Sequence, residues 1–183
     1  MGQCQIDQEL RQNLSFLRAI NDAQSGGKMI EIIKADITTQ AVDAILNAAG
    51  PGLRGGGGVD GAIHRVAGPA LRRASMRLAP CPPGEARITK GWRLPARFVI
   101  HSVGPRWRDA NAKEVLARCY GAAFALAEAN ECRTIASPFI SCGVFGFPLE
   151  VGRSIAFAAA EAYLATSIHA KRITFVTLLD LPR

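Results

Sequence analysis

Four consecutive glycines, Gly55 to Gly58, stand between an apolar run, Val42 to Leu46, and an apparent helix start at Val59-Asp60. Without side chains, such a stretch lets backbone N–H groups approach a ligand closely. A helix beginning directly after it adds partial positive charge. Strand, glycine loop and helix start together make a cradle for phosphate. Asp60 and His64 are four residues apart, so a helix projects both from one face beside that cradle. A carboxylate and an imidazole next to a bound phosphate point to a site that does chemistry as well as hold a ligand.

The rest of the chain reads as strands alternating with helices. Strands are expected over Met29 to Ile33, Val42 to Asn47, Arg87 to Thr89, Phe98 to Val103, Thr134 to Ile140 and Ile173 to Leu178. Helices are expected over Asp60 to Ala67, onward from Gly68-Pro69 to Met76, over 112–129, and from Glu150 to Thr166. This pattern predicts an α/β fold built on a largely parallel sheet. A second glycine-bearing loop, Ser141 to Pro148, follows the strand at Thr134. In such sheets ligands bind beyond the carboxyl ends of strands, where both loops emerge. Residues 5–23 read as a separate amphipathic helix, with Ile6, Leu10, Leu14, Leu17 and Ile20 along one stripe. Ser25-Gly26-Gly27 ends it. The expected division is an N-terminal helix and linker over 1–27 and a single α/β domain over 28–183.

With 183 residues, 49% of them hydrophobic, the chain has enough apolar material for a core without disulfides. Its five cysteines include no C-x-x-C pair, which argues against a disulfide framework and a zinc site. No apolar stretch reaches membrane-span length. Asp7, Glu9 and Arg11 lie where a secretory signal needs an apolar region. A cytoplasmic setting, no membrane partner and no cofactor or metal are therefore expected. The net charge of +7 favours anionic partners. It also fits nucleic acid, but aromatics at 7% leave few stacking platforms, so nucleic acid is not the favoured partner.

Asp36-Ile37-Thr38, Val42 to Ala49, Gly55 to Arg65, Leu94-Pro95-Ala96 and Val99 to Pro105 together resemble the macrodomain family. They are most similar to its MacroD-type branch, and the resemblance covers about 29–178. It implies a three-layer α/β/α sandwich with a mixed, largely parallel central sheet. It also implies binding of ADP-ribose, removal of ADP-ribose from acidic side chains of mono-ADP-ribosylated proteins, and deacetylation of O-acetyl-ADP-ribose. By the same resemblance, Asp36 accepts from the adenine amino group with Ile37 beside it, and Asn47 contacts the distal ribose. Gly56, Gly57, Gly58 and Val59 give N–H groups to the diphosphate. Ser141, Cys142, Gly143, Val144, Phe145 and Gly146 close the other side, with Phe145 over the phosphates. Asp60 activates or orients water, supported by His64.

Local readings stand beside these roles. Asp36 also fits a helix N-cap, Asp60 a favourable charge at a helix start, and His64 a packed histidine. Phe145 also fits a loop anchor, and His101 lies in an apolar strand as a core residue. The chain departs from the family pattern at four places. Gly50 stands where active members usually carry a second asparagine. Cys142 replaces the usual threonine, and a thiol is a weaker donor than a hydroxyl. Leu178 falls where an adenine-stacking aromatic is usual. The family usually continues into another helix past the position of Arg183, and the N-terminal stripe is expected to take over some of that packing. Gly50 and Leu178 imply reduced turnover with micromolar-class binding. The competing readings are a non-catalytic ADP-ribose reader, a nucleic-acid binder using Arg65, Arg72, Arg73 and Arg77, and a cysteine hydrolase using Cys142.

Overall fold

A computed structural model describes residues 27–178. Six strands, β1 (Met29–Lys34), β2 (Ala44–Ala48), β3 (Ala86–Lys90), β4 (Phe98–Ser102), β5 (Thr134–Ser137) and β6 (Arg172–Thr177), form one sheet. Their order is β1-β6-β5-β2-β4-β3. Every neighbouring pair is parallel except β3 with β4. Four helices flank it: α1 (Gly58–Ala67), α2 (Pro69–Met76), α3 (Ala112–Ala129) and α4 (Leu149–Thr166). The mixed, largely parallel sandwich expected from sequence is the fold observed. The amphipathic helix expected over 5–23 lies outside the described residues.

Strand alternation sorts the apolar side chains into two cores. Leu46 and Ile100 face α3 and α4, where Leu116, Tyr120, Phe124 and Phe175 pack. Ile45 and Val99 face the other way, against Ile63 of α1 and Leu71 of α2. Burying each such side chain contributes roughly 1.5–3 kcal/mol. Gly68 separates α1 from α2 at φ +82°, a backbone region that glycine enters readily, and Pro69 then starts α2 where its missing N–H costs nothing.

Most strand boundaries differ from the sequence reading by at most one residue, and two differ by more. β5 ends at Ser137, three residues before Ile140, because Pro138 cannot donate to a ladder. β2 starts at Ala44 instead of Val42. The side chain of Asp43 ties the strand ends together here, accepting from the backbone N–H groups of Arg133 (2.8 Å) and Thr134 (3.0 Å). Arg97 adds an ion pair to the same carboxylate, and those bonds together outweigh partial burial and hold Asp43 below its ordinary pKa.

Candidate active site

The carboxyl ends of β2, β4, β5 and β6 open into one cavity of about 630 Å³, within the usual range for a ligand pocket. The loop from β2 to α1 forms one wall, from Ala48 to Asp60. The loop from β5 to α4 forms the other, from Pro138 to Phe145, and Val176 to Leu178 complete the rim. The backbone N–H groups of Gly56 to Val59 donate to no group among the described residues, as befits a loop running into a helix start. Those of Gly143, Val144 and Phe145 are equally uncommitted. Two sets of open amides therefore line one cavity.

The second loop is braced from behind. Tyr120 of α3 is fully buried, and its hydroxyl accepts from Ile140 N at 2.9 Å. Ser141 adopts φ +66° and turns the chain, with its buried hydroxyl unpartnered among the described residues. Phe147 is the loop anchor, 3% exposed, with Trp107 edge-on at 4.8 Å. Phe145 stays half-buried on the cavity wall, with the Arg106 guanidinium 5.8 Å from its ring. Gly104 makes room for this turn, since a Cβ there would collide with Ser141 Oγ.

Asp60 sits in the first turn of α1 and reaches the cavity while 9% exposed. Asn47 donates from Nδ2 to its Oδ1 at 2.8 Å, and the same Nδ2 lies 3.1 Å from His101 Nδ1. A carboxylate only accepts, so the amide orientation of Asn47 is fixed. His101 Nδ1 must then accept, which puts the imidazole proton on Nε2, 2.9 Å from Thr89 Oγ1. Burial keeps His101 neutral, with a pKa of about 3. The chain Asp60–Asn47–His101–Thr89 thus pins one carboxylate oxygen and leaves Oδ2 toward Gly56.

Burial raises the pKa of Asp60, partly offset by the Asn47 bond and by His64. A raised pKa makes the ionised carboxylate a better proton acceptor. His64 Nε2 lies 3.4 Å from Asp60 Oδ1 without hydrogen-bond geometry, and its ring packs under Gly55. Burial lowers the pKa of His64, so the ring is neutral near pH 7.

The expected site residues fall into four groups. Gly56, Gly57, Gly58, Val59, Asp60, Ser141, Cys142, Gly143, Val144, Phe145 and Leu178 line the cavity, whereas Gly146 closes the second loop by donating to Gly143 O at 2.9 Å. Asn47 and His64 do not line it. Asn47 is fully buried behind Asp60, because its strand parity places it with Ile45 beneath α1. Asp36 and Ile37 lie past the end of β1, off the cavity wall. Asp36 Oδ1 accepts from Thr38 N and Thr38 Oγ1, both at 2.8 Å, so it does cap a 3-10 turn, Ile37–Thr39. Its Oδ2 accepts nothing among the described residues.

Sequence reasoning missed the part His101 plays. It is a core residue, as its apolar strand implied, yet it also orients the amide behind Asp60. Only the register, Asn47 opposite His101, shows this. His101→Leu should remove the acceptor for Asn47 and the donor to Thr89. Leaving buried groups unpaired costs about 1–3 kcal/mol. Urea unfolding should show that loss, and turnover should fall with little change in ligand affinity. Unchanged stability and turnover would leave Asp60 positioned without this chain.

Cys142 is unsuited to attack. Its thiol donates to Ile140 O at 3.5 Å, and its sulfur packs against α4, where a Cβ on Gly152 would collide with it. Burial pushes its pKa up to about 11, so it is a thiol at neutral pH.

The fold agrees with what known proteins show. The macro domain family model matches residues 46–156. The chain is 51% identical to a macro domain-containing protein of Chlorobaculum tepidum, over 83% of this chain and 90% of that one. It is 48% identical to an O-acetyl-ADP-ribose deacetylase of Citrobacter rodentium, over 80% of this chain and 86% of that one. It is 41% identical to human ADP-ribose glycohydrolase MACROD2, over 98% of this chain and 42% of that protein. Among solved structures, a Trypanosoma brucei macrodomain in complex with ADP-ribose superposes with a TM-score of 0.77 at 39% identity, covering 82% of this chain and 64% of that one. The chain belongs to the macro domain family.

Proposed function

We propose that this protein binds ADP-ribose in the cavity and hydrolyses esters of its distal ribose. The substrates are mono-ADP-ribosylated carboxylates of proteins and O-acetyl-ADP-ribose. The single observation that carries the reading is the placement of Asp60. It is a buried, oriented carboxylate at the edge of a cavity flanked by two sets of open amides.

The diphosphate lies between the Gly56–Val59 and Gly143–Gly146 loops, where the open N–H groups of Gly56–Val59 and Gly143–Phe145 supply donors without side chains. The unpartnered Ser141 hydroxyl adds a further donor. Asp36 Oδ2 is free to accept from the adenine amino group, with Ile37 beside it. The distal ribose faces Asp60. A water held there gives one proton to Asp60 as its oxygen adds to the ester carbonyl carbon. The bond from that carbon to the ribose oxygen then breaks, Asp60 returns the proton to the leaving ribose oxygen, and the carboxylic acid and ADP-ribose separate as products. Asn47 acts through Asp60, and neutral His64 shapes the wall beside it.

Among the described residues no helix is long and apolar enough to cross a membrane. The described cysteines Cys81, Cys119, Cys132 and Cys142 are free, which supports a reducing, cytoplasmic setting. Gly50 lines the cavity with no side chain where an asparagine is usual, and this favours reduced turnover. It also keeps a second reading alive, a reader that holds ADP-ribosylated proteins without releasing them. Time-resolved release of ADP-ribose from a glutamate-linked substrate separates the two. Multiple turnovers support the hydrolase, whereas saturable binding without release supports the reader.

A further inference from the structure

One face beside the cavity carries an unbalanced charge. Between Ala44 and Gly84 the only acidic residue is Asp60, and it is buried. The same stretch holds Arg54, Arg65, Arg72, Arg73 and Arg77, all exposed. None of their guanidinium groups makes an ion pair or hydrogen bond among the described residues. Four arginines elsewhere among the described residues do have acidic partners: Arg87 with Glu85, Arg97 with Asp43, Arg153 with Glu150 and Arg172 with Glu31.

This charge is continuous with the Asp60 end of the cavity. Arg54 is on the cavity rim. Arg65 Nη1 lies over Gly61, 3.3 Å from where a Cβ would stand, beside the Gly56 carbonyl. Arg72 is near enough to His64 for its charge to act on that ring. α2 is tied to the rim by Ser75, whose hydroxyl donates to Leu53 O at 2.7 Å.

We propose that the exposed arginine face of α1 and α2 docks the polypeptide of an ADP-ribosylated substrate, with preference for segments rich in Asp and Glu around the modified residue. This rests on the hydrolase reading above, in which the distal ribose and its attached chain leave the cavity at Asp60. A segment emerging there passes Arg54 on the rim and Arg65 beside it, uncompensated positive charge whose reach is a Debye length, roughly 8 Å at physiological salt. Unpaired arginines also favour carboxylates geometrically, through two parallel N–H donors. The small substrate O-acetyl-ADP-ribose has no such segment and is indifferent to this face.

The test compares affinities of the full chain for three probes. One is free ADP-ribose. The others are peptides bearing ADP-ribose on a hydrolysis-resistant linker at a glutamate position, flanked either by Asp and Glu or by Ser and Gly. The acidic peptide should bind about tenfold more tightly than the neutral one at low salt, and the gap should close as salt rises. Arg73→Glu/Arg77→Glu, two exposed positions away from the cavity lining, should abolish the gap and leave free ADP-ribose binding unchanged. Equal affinity for the two peptides, or a gap that survives the double substitution, overturns the proposal alone. Absence of free ADP-ribose binding overturns the underlying reading and the proposal with it. Displacement of the acidic peptide by a DNA duplex that binds more tightly assigns the face to nucleic acid and also overturns it.

Discussion

Asp60→Ala should lower turnover at least roughly hundredfold, the usual scale for losing a positioned proton acceptor. ADP-ribose affinity should change by less than about fivefold, or ~1 kcal/mol. The two effects separate because they draw on different parts of the site. On the proposed reading, diphosphate binding rests on the main-chain N–H groups of Gly56–Val59 and Gly143–Phe145, which are uncommitted in the structure and which the substitution leaves in place. Proton transfer, on the same reading, rests on one carboxylate, held by Asn47 at 2.8 Å. The pH profile follows from the same group. Burial raises the pKa of Asp60, so the wild-type rate should fall on the acid side at a higher pH than an exposed aspartate would give. The ionised form is the active one, so the rate rises with pH through that value and then levels. His64, shifted down, adds no step near pH 6.5. Stopped assays across pH with both proteins check this. Equal losses of binding and turnover in Asp60→Ala would assign Asp60 a structural role.

Gly50→Asn should raise turnover, by up to roughly a hundredfold, the scale of one oriented polar contact at a reacting centre. The position accepts a side chain. A Cβ on Gly50 meets nothing within 4 Å, and its backbone lies outside the left-handed region. The Gly50 carbonyl accepts from Leu53 N at 2.9 Å, a bond that any residue supplies. The new amide would stand on the cavity wall at the end where the distal ribose is placed. Stability should hold or rise slightly, since replacing glycine restricts the unfolded chain. Steady-state release of ADP-ribose by the two proteins checks it. An unchanged rate in a folded variant would mean that another group already makes the contact.

Much of this architecture was legible from local chemistry. Apolar periodicity marked α3 over the same residues the structure shows and α4 to within one residue, because long helices repeat their signal over several turns. Gly55–Gly58 before Asp60 marked the first loop, because few other roles need so many bare backbone positions. The second loop was marked by its glycines, but its bracing was not. Nothing near Tyr120 in sequence indicates that its hydroxyl meets Ile140 N twenty residues away. Asn47 shows the limit most clearly. The motif placed it near the reacting centre, but only the packing of α1 over Ile45 and Asn47 turns it toward Asp60 and away from the cavity. His101 was read correctly as buried, yet its partners come from β2 and β3, and strand register is a long-range property. The paired arginines of α2 entered the sequence reading only as part of a competing nucleic-acid surface; the structure ties their helix to the rim through Ser75 and Leu53.

Amide-resolved NMR of 15N-labelled protein titrated with ADP-ribose tests the central claim most directly. Saturable shifts should appear at Gly56–Val59 and at Ser141–Gly146 together, with one micromolar dissociation constant fitting both. Shifts confined to other surfaces, or none at these loops under large ligand excess, would contradict the placement of the diphosphate between them.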